Sequence, residues 1–204
     1  MKFVNKKILI ITSLVCLLPV IAGLVLWNRL PESVPVHFDI NSNPDSFAPK
    51  WFAVIMIPVI LAVFQTVCCI GVDYESAKHG SSKKIGIVSK WIVPLMSVII
   101  NVAIYIYALG IKVDIRVVAC ISVGFMFLII GNYLPKLNYI KNYSIDTEKA
   151  RKINRFSGFE MVILGLLFAV SAFLPPYASV ACLVLMFVFI LVGVFYGIYV
   201  IKKK

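Results

Sequence analysis

The sequence predicts an all-α integral membrane protein with six transmembrane helices, and three observations carry that prediction. Of 204 residues, 61% are hydrophobic and the mean hydropathy is +0.98, whereas soluble chains sit near half apolar. Uninterrupted apolar runs reach the roughly 20 residues that cross about 30 Å of hydrocarbon. The net charge is +11, but its cations stand beside the apolar runs. That is the pattern of membrane topology, not of a nucleic-acid-reading face.

The spans fall near residues 8–27, 51–72, 91–111, 115–134, 158–174 and 179–201. The first continues apolar to Trp27 with no small-residue cleavage site, so it reads as a retained helix and not a signal peptide. Residues 28–50 form one long loop, 112–114 and 175–178 tight turns, and 73–90 and 135–157 the loops of the opposite side. Sixteen Lys and Arg residues lie on the side of the termini and those last two loops, against four on the other. The positive-inside rule therefore places both termini in the cytoplasm and loop 28–50 outside. A single membrane domain over 1–204 accounts for the chain.

Within the spans, Pro19, Pro58 and Pro94 are expected to kink their helices. Gly193 and Gly197 have small-xxx-small spacing, a weak motif read as intramolecular packing. The five cysteines (16, 68, 69, 120 and 182) all fall in apolar spans and read as packing residues, with no disulfide framework. Gln65 and Asn101 sit near mid-span, where they either hydrogen-bond between helices or line a solute path. Glu160 is the one carboxylate within a span. It is expected to snorkel or to pair with Lys152 or Arg155, and a proton relay is the sharper alternative.

No catalytic constellation is visible. His37 and His79, the two histidines, are expected on opposite sides of the membrane, and no Gly-rich phosphate loop is present. The chain is read as a non-enzyme without cofactor or metal. The outer loop is its most structured soluble stretch. Val34, Val36, Phe38 and Ile40 alternate with Ser33, Pro35, His37 and Asp39, as in an extended segment with its apolar face on the helix ends. Asn43-Pro44-Asp45 reads as a turn. Three readings of His37, Asp39 and Asp45 stand open: an ordered loop, a contact for an external ligand, and a loosely spaced cation site.

Two motifs in this chain resemble the SdpI-like immunity protein family of bacteria, whose members open with the domain DUF1648. The first comprises Leu30-Pro31, Val34-Pro35-Val36-His37-Phe38-Asp39, Pro44-Asp45 and Lys50-Trp51. The second is Gly131-Asn132-Tyr133-Leu134-Pro135-Lys136. Glu148, Arg151-Lys152, Arg155-Phe156 and Gly158 add a weaker third match. The resemblance implies a DUF1648-like helical hairpin over 8–72 and a four-helix remainder over 91–201. Departures are Ser42 where the family usually has Gly, Ala150 for Trp, and Ile153-Asn154 for Thr-His. After Lys136 the chain runs through Asn142-Tyr143-Ser144-Ile145 and lacks the family's Gly-Ile-Arg-Thr-Pro-Trp-Thr-like run.

By resemblance, such proteins sit in the bacterial plasma membrane and give resistance to a secreted, membrane-active peptide toxin. Some also sense toxin and sequester a transcriptional repressor. The contacts expected for the toxin are His37, Phe38, Asp39, Asn43 and Asp45. Arg151, Lys152 and Arg155 are expected to meet a cytoplasmic partner or membrane lipids, with no direct nucleic-acid contact. The rival reading is a small transporter or permease-like protein with Gln65, Asn101 and Asn132 along its path.

Overall fold

The computed structural model describes residues 4–79, 83–136 and 147–203. Six helices follow in order: α1 Lys6–Val25, α2 Ile57–His79, α3 Lys83–Ala108, α4 Ile115–Tyr133, α5 Thr147–Ser171 and α6 Pro176–Lys202. All six are long and apolar enough to cross a membrane, and the chain is a multi-pass membrane protein. Between α1 and α2 lie two antiparallel strands, β1 Ser33–Phe38 and β2 Pro44–Pro49, then a π-helical turn at Phe52–Met56. A 3-10 turn, Leu134–Lys136, follows α4.

The chain divides into two compact units. One comprises Met1–Asp73 and Lys90–Ala119, the other Tyr74–Ser89 and Cys120–Lys204.

Local chemistry explains the element ends. Asn5 caps α1 by accepting the Ile8 N–H at 3.3 Å, and Asp114 caps α4 through the Val117 N–H at 3.1 Å. Gly110, at φ +86°, takes the left-handed conformation that ends α3. Pro176 opens α6 behind Pro175, where the missing N–H is unneeded. Pro19 and Pro94 lie inside α1 and α3. Pro58 instead sits at the start of α2, just after the π turn, whose widened hydrogen bond runs from the Ile57 N–H to the Phe52 carbonyl. All three prolines are fully buried.

Helix ends move most from expectation. α2 runs seven residues past 72, α3 begins at 83 and not 91, and α5 begins at 147 and not 158. Hydropathy marks where hydrocarbon ends, but nothing in Lys149-Ala150-Arg151-Lys152 breaks a helix. Glu148 stands in the first turn of α5 and pairs with Lys152 at 2.7 Å, both of which support the extension. Lys2, Lys141, the segment after Lys136 through residue 146, and Lys204 lie outside the described residues, as do the side chains of His79, Lys83 and Lys84.

In the second unit, α4 and α5 meet through glycines. A methyl group at Gly124 would lie 2.7 Å from the Gly165 carbonyl oxygen, and one at Gly131 equally close to that of Gly158. The two levels are seven residues apart on both helices, so the backbones pack closely at each. The Gly193 and Gly197 pair behaves differently. A methyl at Gly193 would lie 2.8 Å from Glu160 Oε2, and one at Gly197 would meet nothing within 4 Å.

Candidate functional site

The connection from α1 to α2 builds the most elaborate soluble surface of the first unit. Leu30 and Val34 are buried with Ala53, Val54, Ile104 and Tyr105, and Trp27, Val36 and Phe38 pack around them. Burying such side chains is worth about 1.5–3 kcal/mol each. Phe38 meets Tyr107 edge-on, ring centroids 4.9 Å apart. Gly23 lets α1 approach this cluster, since a methyl there would lie 2.5 Å from Val54 Cγ1.

Lys50 clamps the base. Its ammonium is buried, donates to Glu32 Oε1 at 2.8 Å and to the Leu30 carbonyl at 3.4 Å, and stands 5.0 Å from the Trp27 ring. Its backbone N–H donates to the Glu32 carbonyl at 2.8 Å. The role of Lys50 in the first motif is therefore to hold the two ends of the hairpin together.

The tip differs from the expected turn. The chain reverses over 39–43, and Pro44 already belongs to β2. Asp39 Oδ1 accepts the N–H groups of Asn41 at 2.8 Å and Asn43 at 2.7 Å, and Oδ2 accepts the Asn43 side-chain amide at 3.1 Å. The Asn43 backbone N–H foremost, then its side-chain amide, hold the Asp39 carboxyl below the usual aspartate value. Asp39 and Asn43 thus staple the turn, with Asn43 exposed and Asp39 partly so.

Ser42 adopts φ +62°, a left-handed conformation that costs a residue with a Cβ. Its hydroxyl donates to Asp114 Oδ1 at 2.6 Å and accepts the Arg116 N–H at 2.9 Å, so the tip is tied to the start of α4. Burial alone would raise the Asp114 carboxyl. The Ser42 hydroxyl, the Val117 N–H and Arg116 outweigh it, and Asp114 titrates below the usual value.

Of the five expected contacts, His37 and Asp45 point outward as a pair, Nδ1 to Oδ1 2.6 Å. The register explains the pairing. Pro35 faces Phe47 and His37 faces Ser46, then Phe38 faces Pro44, so Val36 and Asp45 are each the extra residue of a bulge. The bulges also break the alternation read from the sequence. Pro35 is buried, while Ile40, expected on the apolar face, is 52% exposed. Beside them Phe47 is 55% exposed, a residue that the alternation over 33–40 could not reach. Among the described residues no group of three His, Cys, Asp or Glu is placed to hold a metal.

Gln65 and Asn101 lie in the core of the same unit. Gln65 donates to the Lys90 carbonyl at 2.6 Å and to Cys69 Sγ at 3.1 Å, and Asn101 donates to the Ser97 carbonyl at 2.7 Å. Gln65 Oε1 and the Tyr105 hydroxyl are buried with no partner among the described residues. At the other end of this core, Lys90 is buried and pairs with Asp73 at 2.5 Å, while Asp73 Oδ2 accepts the Asn5 N–H at 2.9 Å. Lys90 was expected in a loop. It lies inside α3, where a buried charge requires its partner.

The other motif residues fall in the second unit. Asn132, Pro135, Lys136, Lys152 and Arg155 line a cavity of about 680 Å³, whereas Arg151 is exposed outside it. Tyr133 carries Lys136 Nζ 5.0 Å from its ring. Glu160 is half-buried beside an apolar cavity of about 480 Å³ between α5 and α6. It pairs with neither expected cation, because Lys152 takes Glu148 and Arg155 lines the other cavity.

Residues 14–62 match the family model "Domain of unknown function (DUF1648)", which spans most of α1, the hairpin and the start of α2. The whole chain is similar to the immunity protein SdpI of Bacillus subtilis (strain 168). Identity is 23% over 206 aligned positions, covering 97% of each chain. The uncharacterized membrane protein YbgB of the same organism is 34% identical over 44 residues, 22% of this chain and 48% of that one. No solved structure matches. The resemblance drawn from the two motifs is thereby borne out.

Proposed function

We propose that this chain is an immunity-type protein of the bacterial plasma membrane that captures a secreted, membrane-active peptide at its hairpin. The observation that carries the reading is the similarity to an immunity protein along 97% of both chains. The geometry supports a capture surface. A hairpin clamped by Lys50, Asp39 and Ser42 presents the polar pair His37–Asp45 beside exposed Ile40 and Phe47, a mixture suited to an amphipathic peptide. A held surface of this kind loses little entropy on binding. Capture needs no cytoplasmic partner. Recruitment of a repressor is a separate activity, for which the exposed Arg151 on α5 is the nearest candidate contact.

The transport reading, with Gln65, Asn101 and Asn132 along its path, draws support from two buried atoms that have no partner among the described residues, Gln65 Oε1 and the Tyr105 hydroxyl. One experiment separates the two. Membrane potential is followed with a voltage-sensitive dye in sensitive bacteria challenged with an Sdp-type peptide. Expressing cells are expected to hold their potential, a His37→Ala/Phe47→Ala variant to lose protection, and Gln65→Leu to keep it. Asp39 is left untouched because its loss would open the turn. Depolarisation as fast as in control cells, with the protein present in the membrane, would end the immunity reading.

A further inference from the structure

The cavity at the junction of α4 and α5 joins two sequence motifs that the capture reading leaves unused. Its lining includes Asn132 at the end of α4, Lys136 in the 3-10 turn that follows, Lys152 and Arg155 on α5, and Tyr196 on α6. Among the described residues, two cations here have no acidic partner. Among the described residues Arg155 makes no hydrogen bond or ion pair, and Lys136 is held only by Asn132 Oδ1 at 3.3 Å and the Tyr133 ring. Lys152 is partly neutralised by Glu148. Since Asn132 accepts from Lys136 through Oδ1, its amide N–H₂ is left as a donor.

The same cavity has an apolar floor. Phe156 stacks on Tyr196 at 4.2 Å, and Phe159 and Val162 lie deeper along α5. Seven residues separate Arg155 from Val162, or about 10 Å at the helical rise. These residues belong to the membrane-crossing stretch Glu148–Ser171, which starts at the basic rim. A rim of cations and amide donors above a floor of aromatic and aliphatic side chains matches a phosphate followed by acyl chain. A soluble acidic protein would satisfy the rim but has no means of covering a floor inside the hydrocarbon.

We propose that this cavity binds the phosphate headgroup of an anionic phospholipid, with Lys136 and Arg155 as its principal ligands and an acyl chain along Phe159 and Val162. The proposal is independent of toxin capture.

The test uses full-length protein in detergent, with native mass spectrometry reading bound dioleoyl phosphatidylglycerol against dioleoyl phosphatidylcholine. Wild type is expected to prefer the anionic lipid. Lys136→Gln/Arg155→Gln is expected to weaken that binding by roughly thirtyfold, with the melting temperature of the lipid-free protein unchanged. Lys6→Gln/Lys7→Gln removes the same charge from α1 and is expected to leave binding intact. Inorganic phosphate forms the third arm. Equal binding of both lipids, equal loss in the α1 control, or full competition by millimolar phosphate would each overturn the assignment. The first two indicate diffuse attraction, and the last a site for a free phosphate.

Discussion

At the scale of single residues, Asp39 and Lys90 show how burial and hydrogen bonding reassign a charge. Asp39 has the look of an exposed ligand in sequence, yet all of its described hydrogen bonds close its own turn. Its carboxyl is lowered, so the ionised form supports the fold at pH above the ordinary aspartate value. That support is lost as pH falls through the lower, folded value. A carbon-13 titration of the Asp39 carboxyl in lipid nanodiscs should therefore give a midpoint below the usual aspartate range, with the amides of Asn41 and Asn43 shifting alongside. An ordinary midpoint would show that the carboxylate does not hold the turn. Lys90 teaches the converse. Its charge counts toward the cytoplasmic bias in a tally of loops, but the side chain is buried against Asp73. Only two residues seventeen positions apart in sequence, brought together by α2 and α3, make that burial tolerable.

At the scale of elements, the α4–α5 contact depends on what Gly124, Gly131, Gly158 and Gly165 lack. A methyl group at Gly124 would meet only facing backbone, and one at Gly131 facing backbone first and then Val162 Cγ2, so the helices must separate to admit either. Gly124→Ala and Gly131→Ala should each destabilise by about 1–3 kcal/mol. Gly71→Ala on α2, where a methyl meets nothing within 4 Å, should be neutral or gain up to about 1 kcal/mol from helix propensity. Thermal unfolding of the detergent-solubilised protein measures all three. A Gly71→Ala loss as large as that of Gly124→Ala would refute the close-contact account. The motif Gly131-Asn132-Tyr133-Leu134-Pro135-Lys136 is thus part packing device and part cavity wall. Its spacing of seven with Gly124 was open to inspection, but it takes the partner helix to show that glycine meets glycine.

At the scale of the whole molecule, the charge bias makes a topological prediction that packing alone does not. The hairpin should face outward and the amino terminus inward. In a cysteine-free background that retains insertion, Ser46→Cys should react with a membrane-impermeant maleimide on intact cells, and Lys7→Cys only after permeabilisation. The reverse pattern would invert the orientation and remove the hairpin from reach of any secreted peptide.

Hydropathy and charge already contained the class of the protein and its six spans, and the residue motifs at 30–51 and 131–136 carried the resemblance to immunity proteins. The class and the spans follow from local composition, because transfer into hydrocarbon is paid residue by residue and the positive-inside bias acts on nearby loops. Tertiary structure decided the rest. It paired β1 with β2 through two bulges, tied Asp39 and Asn43 to each other in the turn, left His37, Asp45, Ile40 and Phe47 exposed, and gathered Asn132, Lys136, Lys152 and Arg155 around one cavity. Those outcomes depend on which backbone and side-chain groups find partners far along the chain, and no local pattern encodes a partner.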